Sequence, residues 1–204
     1  MFTNKDLVDH LIDTNSLYSE QIIDAFTHID RKDFILNYSS EAYYDCPLPI
    51  GENQTISQPT TVAMMFEMLS PKKGESILDI GSGSGWTTAL LSYIVKDEGS
   101  VTGLERIDEL VELGRKNLQK YNFKNSKILK ASDTLGIDNE SFDKILVSAS
   151  AEHIPYELTK QLKEGGKLVI PVRNSIYEIT KEKNDKLNTI EHYGFVFVPL
   201  IYKG

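Results

Sequence analysis

Gly81-Ser-Gly-Ser-Gly85 follows directly on the apolar run Ile77-Leu-Asp-Ile80 and leads without a break into Trp86-Thr-Thr-Ala-Leu-Leu-Ser-Tyr-Ile-Val95. A short aliphatic run, a glycine cluster and a longer apolar segment, in that order, read as strand, turn and helix. Glycines at such a turn let the backbone take positive φ and approach a ligand closely, while the first helical turn offers it unpaired N–H groups. The dinucleotide fingerprint G-x-G-x-x-G wants a small residue at its sixth position. Here that position is Trp86, and the third glycine comes one place early at Gly85. No Gly-Lys-Ser/Thr run follows a four-residue spacer, so a nucleotide phosphate loop is excluded. Glu105 ends the next apolar run, Ser100-Val-Thr-Gly-Leu, 24 residues after Gly81, near the distance at which an acidic residue receives ribose hydroxyls. A nucleoside without a diphosphate satisfies all these observations, and S-adenosylmethionine fits best; a turn with no ligand is the competing reading.

At 204 residues the chain can bury one sizeable core, and a single domain over 1–204 is expected. With 40% hydrophobic and 25% charged residues it has the composition of a soluble globular protein, and no apolar stretch approaches the roughly 20 residues of a membrane helix. The start, Met1-Phe-Thr-Asn-Lys-Asp, lacks the basic and apolar regions of a secretory signal, and the single cysteine, Cys46, suits a reducing compartment. A cytoplasmic protein acting without a membrane is therefore expected; a monomer is expected too, though nothing in the composition bears on assembly. A formal charge of −8 with scattered basic residues argues against nucleic acid as a partner. Histidines at 10, 28, 153 and 192 show no metal spacing, so no metal is expected. Cys46 lies in Asp-Cys-Pro-Leu-Pro with no adjacent cation to activate it, which favours packing over nucleophilic chemistry.

The pattern after the glycine turn alternates as a doubly wound α/β domain does. Strands are expected at 75–80, 100–104, 125–130, 142–148 and 167–171, the last after a Gly165-Gly166 break, with helices at 86–95, 107–121 and 155–161. Lys144-Ile-Leu-Val147 has the near-continuous aliphatic character of a central parallel strand. Segments 175–180 and 189–200, joined by a polar turn at 182–186, predict a C-terminal antiparallel hairpin, giving seven strands in all. The first 70 residues read as a helical and irregular substrate-side extension of the cofactor-binding sheet at 71–204. Helices are expected at 2–17, 20–26 and 60–69, and the aromatic, proline-rich run 43–59 is expected to pack over the carboxyl edge of the sheet, where open α/β folds bind ligands.

That run also carries a family likeness. Pro47-Leu-Pro-Ile-Gly51 and Gln54-Thr-Ile-Ser-Gln-Pro59 resemble the protein-L-isoaspartate O-methyltransferases. The likeness continues in order through Leu78-Asp-Ile-Gly-Ser-Gly-Ser-Gly85, Glu105-Arg106, Phe142-Asp-Lys-Ile-Leu-Val-Ser-Ala149, Gln161-Leu-Lys-Glu-Gly-Gly-Lys-Leu-Val-Ile-Pro171 and Val198-Pro-Leu200. The resemblance implies a Rossmann-like methyltransferase fold. It also implies methyl transfer from S-adenosyl-L-methionine to the α-carboxyl of L-isoaspartyl residues in damaged proteins or peptides, with S-adenosyl-L-homocysteine released. Such an ester collapses to a succinimide without the enzyme, and hydrolysis returns some normal aspartate.

By the same resemblance Ser57 is the active-site hydroxyl that aligns the acceptor carboxylate. Gln54, Thr55 and Ile56 would line the junction of cofactor and substrate. Asp79, Gly81, Ser82, Gly83 and Ser84 would surround the methionyl half of the cofactor, and Glu105, with Arg106 beside it, the ribose. Structural alternatives stand beside these: Ser57 and the glycine-turn serines can simply satisfy turn backbone. His153, in Ala151-Glu-His-Ile-Pro155, is a candidate substrate contact, with an inert loop histidine as the alternative. The family carries Gly-Asp-Gly before Thr-Leu-Gly, its aspartate near the adenine. This chain has Ala131-Ser-Asp there, so either Ser132 or Asp133 takes the adenine contact. That departure leaves open a carboxyl methyltransferase for another peptide or small acid, or a relative that binds cofactor without catalysis.

Overall fold

The computed structural model describes residues 3–36 and 41–202. In chain order the elements are α1 (Asn4–Asp13), α2 (Glu20–His28), a 3-10 turn (Arg31–Phe34), β1 (Leu48–Gly51), β2 (Gln54–Ile56), α3 (Pro59–Leu69) and β3 (Ser76–Ile80). Next come α4 (Trp86–Val95), β4 (Ser100–Glu105), α5 (Asp108–Gln119), β5 (Ser126–Lys130), β6 (Phe142–Val147) and α6 (Tyr156–Lys160). The chain closes with β7 (Leu162–Val172), β8 (Ser175–Lys181), a second 3-10 turn (Lys183–Asp185) and β9 (Leu187–Tyr193). Seven strands form one sheet in the order β5-β4-β3-β6-β7-β8-β9, parallel from β5 to β7 and antiparallel thereafter.

Side chains alternate across the pleat and sort the sheet into two cores. From β3, Ile77 enters the core shared with α1 to α5, whereas Leu78 and Ile80 enter the other with Leu104, Ile145, Val147, Leu168 and Ile170. Among the described residues only α6, through Leu158, adds a helix to that second core, and connecting loops and the C-terminal segment complete it. Each fully buried aliphatic side chain contributes about 1.5–3 kcal/mol by leaving water, which fixes the register against a one-residue slip. Because β4 and β5 run outward from β3 on one side and β6 returns on its other side, the crevice at the carboxyl ends of β3, β4 and β6 is the switch point where open α/β sheets bind ligands.

Several elements depart from expectation. The strand placed at 167–171 begins at Leu162, because Gly165 (φ +79°) and Gly166 form an irregularity inside the strand, opposite a register shift between Phe142 and Lys144, and do not break it. The last strand, expected to reach 200, stops at Tyr193; Gly194 (φ +108°) turns the chain back over the sheet. Residues 43–59 contain a two-stranded hairpin, β1 with β2, turned through Glu52 and Asn53, both at positive φ. The first helix begins at Asn4, where Thr3 and Asp6 form a capping box, and Phe2 lies outside the described residues.

Candidate active site

A cavity of about 290 Å³ opens at the carboxyl ends of β3, β4 and β6, covered from above by β1, β2 and the loop into α3. Its floor is the glycine turn. Gly81, Gly83 and Gly85 have φ of +79°, +51° and +91°, a left-handed course that only glycine follows without strain. The N–H groups of Gly81 and Ser82 donate to the Leu104 carbonyl at 2.8 and 3.1 Å, and that of Gly85 to Ser82 at 2.8 Å, so the turn is tied to β4. Gly103 sits opposite Asp79 in the register; a Cβ there would come within 2.9 Å of Thr88 Oγ1 and 3.1 Å of Ser82. From α5, the buried Asn117 donates to the Ser84 carbonyl at 2.9 Å.

Glu105 ends β4 buried, and its carboxylate accepts the Gly83 N–H (3.0 Å) on one oxygen and the Ile107 N–H (2.9 Å) on the other. Both oxygens keep further lone pairs, so a fixed anion stands at the cavity wall ready for two more donors. Beneath the turn, fully buried Asp79 accepts the hydroxyls of Thr88 (2.6 Å) and Thr87 (2.8 Å) on one oxygen; the other has no partner among the described residues. Burial lifts its carboxyl to about 6, against the pull of the two threonine hydroxyls. Ser82 Oγ and Trp86 Nε1 are likewise buried at this site without a partner among the described residues. Buried polar atoms of this kind call for a ligand's polar groups or water.

Of the residues singled out in the sequence, Gln54, Thr55, Ile56, Ser57, Gly81, Ser82, Gly83, Ser84, Glu105, Arg106 and Ser132 all line the cavity. Asp79 lies under it. Ser132 faces it with its hydroxyl held by Thr134 at 2.9 and 3.1 Å, whereas Asp133 does not line it. His153 sits exposed in the loop after β6, away from the lining.

Three contributors were not anticipated. Residues 198–202 line the cavity because the chain folds back after Gly194. Ser150 N–H donates to the Val198 carbonyl at 2.7 Å, and Leu200 N–H to the Ser150 carbonyl at 2.8 Å. The glycine within an otherwise strand-like run was the available signal. Gln161 clamps the loop after β5, accepting the Ile137 N–H at 2.8 Å and donating to the Leu135 carbonyl at 3.0 Å. Arg31, buried behind Ser57, had no signal in the spacing at all.

A profile of the Protein-L-isoaspartate(D-aspartate) O-methyltransferase family matches residues 2–204. A protein-L-isoaspartate O-methyltransferase of Methanopyrus kandleri is 38% identical over 202 residues, covering 96% of this chain and 89% of its own. One of Thermococcus onnurineus is 41% identical over 191 residues, covering 90% and 86%. A crystal structure from Plasmodium falciparum, described as a protein-L-isoaspartate O-methyltransferase in complex with S-adenosyl-L-homocysteine, superposes with a TM-score of 0.89 at 28% identity, covering all of both chains.

Proposed function

The chain belongs to the protein-L-isoaspartate(D-aspartate) O-methyltransferase family, and from that premise we infer that it methylates the α-carboxyl of L-isoaspartyl residues in proteins or peptides, with S-adenosyl-L-methionine as donor. The observation that carries the reading is the meeting of two segments in one cavity: the Ser57 segment, far upstream, and the Glu105-anchored glycine turn.

The residues fit the cofactor. Glu105 presents a carboxylate immobilised by two backbone N–H groups to the ribose hydroxyls. The unpartnered Ser82 Oγ and Asp79 Oδ1 mark where the turn still lacks hydrogen bonds for a methionyl ammonium and carboxylate. When bound, the cofactor supplies an electrophilic methyl whose bond to sulfur breaks as the acceptor oxygen bonds to it, leaving a methyl ester and the neutral thioether.

Little acid–base chemistry is asked of the chain. A carboxyl with an ordinary value near 4 is already ionised at pH 7 and is its own nucleophile. What remains is alignment, for which well-oriented reactants gain most of their rate. Ser57, in this reading, donates its hydroxyl to the acceptor carboxylate and turns one oxygen toward the methyl, with Ile56 shielding the junction from water. Ser132 takes the adenine side in place of Asp133, since it alone of the two lines the cavity. His153 has no role here.

The division into a substrate-side extension over residues 1–70 and a cofactor-binding sheet over 71–204 of one domain is part of the same proposal. The working unit in this proposal is a monomer. No helix of the described residues is long and apolar enough to cross a membrane, and a chain with one cysteine suits the proposed cytoplasmic setting. Incubation with labelled S-adenosylmethionine and an isoaspartyl peptide, beside its aspartyl twin, tests the activity. Label is expected on the first alone; label on neither, or on both equally, overturns the reading.

A further inference from the structure

Arg31 is fully buried, an unusual place for a guanidinium, and among the described residues its hydrogen bonds all go to backbone carbonyls. Nη1 donates to the Ala42 carbonyl at 2.7 Å and the Tyr44 carbonyl at 3.3 Å. Nη2 donates to the Cys46 carbonyl at 2.8 Å and to the carbonyl of Ser57 itself at 3.2 Å. Its Cζ lies 5.5 Å from the centroid of the Trp86 ring, whose indole lines the cavity. Burial lowers the guanidinium to about 10, which still leaves it charged at neutral pH.

We propose that Arg31 is a positioning residue for methyl transfer: it fixes the Ser57 carbonyl, and through the backbone the direction in which the Ser57 hydroxyl meets the acceptor. Ser57 lies between the end of β2 and the start of α3, and α3 does not use its carbonyl; the first helical bond, from Val62 N–H, goes to Gln58. Within the described structure the arginine is therefore what holds that peptide plane. The turn at 42–46 is gathered by the same fork and is fastened separately to α3 through Asp45, which accepts Gln58 Nε2 at 3.0 Å, Thr60 N–H at 2.8 Å and Thr60 Oγ1 at 2.8 Å. Asp45 thus fixes the residues after Ser57, and Arg31 fixes Ser57. A rigid, charged fork reaching two carbonyls on each arm is something lysine cannot reproduce.

The inference rests on the activity proposed above and on Ser57 acting in it, and its test separates the two. With wild-type activity on an isoaspartyl peptide established first, Arg31→Lys and the volume-matched Arg31→Met are measured for kcat, peptide KM, cofactor Kd by calorimetry and thermal melting. In the folded variants kcat is expected to fall about ten- to a hundredfold, the effect of a misplacement near 1 Å, while cofactor Kd stays within about threefold. Ser57→Ala is then combined with Arg31→Lys. If the arginine acts through the serine, the double variant is no slower than Ser57→Ala alone. Multiplying losses in the double variant, an unchanged kcat, a kcat that falls only in step with cofactor affinity, or failure of both Arg31 variants to fold would each assign Arg31 to general packing and overturn the proposal. A wild-type chain that methylates no peptide overturns the activity instead.

Discussion

The two sides of the cavity are built by different means. On the cofactor side, backbone does the shaping: consecutive elements β3, turn, α4 and β4 bring Gly83 within 3.0 Å of Glu105 across 22 residues of sequence, and parallel register sets Asp79 against Gly103. On the acceptor side, a short hairpin and an irregular loop are held by side chains that reach out to backbone, Arg31 to Ser57 and Asp45 to Thr60. A site shaped by regular backbone tolerates change in its neighbours and loses affinity when a ligand-facing group goes. A site hung on side-chain clamps loses alignment. The same size of perturbation should therefore appear in Kd on one side and in kcat on the other.

The largest expected effect tests that division directly. Glu105→Ala removes an anion held by two N–H groups and leaves both donors buried. The proposed charge-assisted bonds to two ribose hydroxyls would be worth about 1.5–3 kcal/mol each, so calorimetry should show cofactor Kd weakened at least about a hundredfold. At saturating cofactor its kcat should stay within about tenfold of wild type, since the acceptor side is untouched. Ser57→Ala should do the reverse, lowering kcat about tenfold or more with cofactor Kd unchanged. If both variants lose Kd and kcat in parallel, the division fails.

A second contrast lies in two aspartates. Asp45 takes three donors on its two oxygens, whereas Asp79, fully buried, has one oxygen with no partner among the described residues. The Asp79 carboxyl, raised to about 6 by burial, holds its proton more tightly in the folded chain than in the unfolded one. Its contribution to stability is thus complete below about pH 4 and is lost as pH rises through about 6. Denaturant unfolding of the ligand-free protein should show wild type losing roughly 2–3 kcal/mol relative to Asp79→Asn between pH 4 and pH 7. A gap between the two proteins that stays constant with pH would mean that Asp79 is solvated or otherwise paired.

The same asymmetry explains what could be read from the residues. Apolar runs and the glycine cluster locate α4 to the residue, and β3 and β4 to within one, because buried parallel strands and a largely buried helix entered from a glycine turn leave a pattern in the chain. The Glu105 position follows from strand spacing alone. Ser57, by contrast, is legible only through family likeness; nothing periodic marks it. Arg31 and Gln161 act on backbone groups, which are the same at every position, so no pairing pattern announces them. The end of β9 is hard to read from sequence because apolar residues continue to 202: Leu200 and Tyr202 pack against the core that contains β6 instead of extending the hairpin, and Gly194 marks the turn.

The smallest expected effect concerns the adenine edge, where the two building styles meet. Ser132 projects from the end of β5 into the cavity, yet its hydroxyl already engages Thr134, at 3.1 Å to the carbonyl and 2.9 Å to Oγ1. Its one proton is spent on Thr134, and the lone pair left to it is a weaker acceptor for an adenine amine than a carboxylate would be, while Asp133 does not line the cavity. Ser132→Asp supplies that acceptor on an exposed loop that Gln161 braces through Leu135 and Ile137, so the change should leave stability within about 0.5 kcal/mol. One hydrogen bond to a half-solvated carboxylate is worth about 1 kcal/mol, which predicts cofactor Kd tightened about fivefold with kcat unchanged. Weaker binding would place the adenine elsewhere in the cavity. A change in kcat would show that the cofactor side sets alignment after all, and would remove the distinction between the two walls.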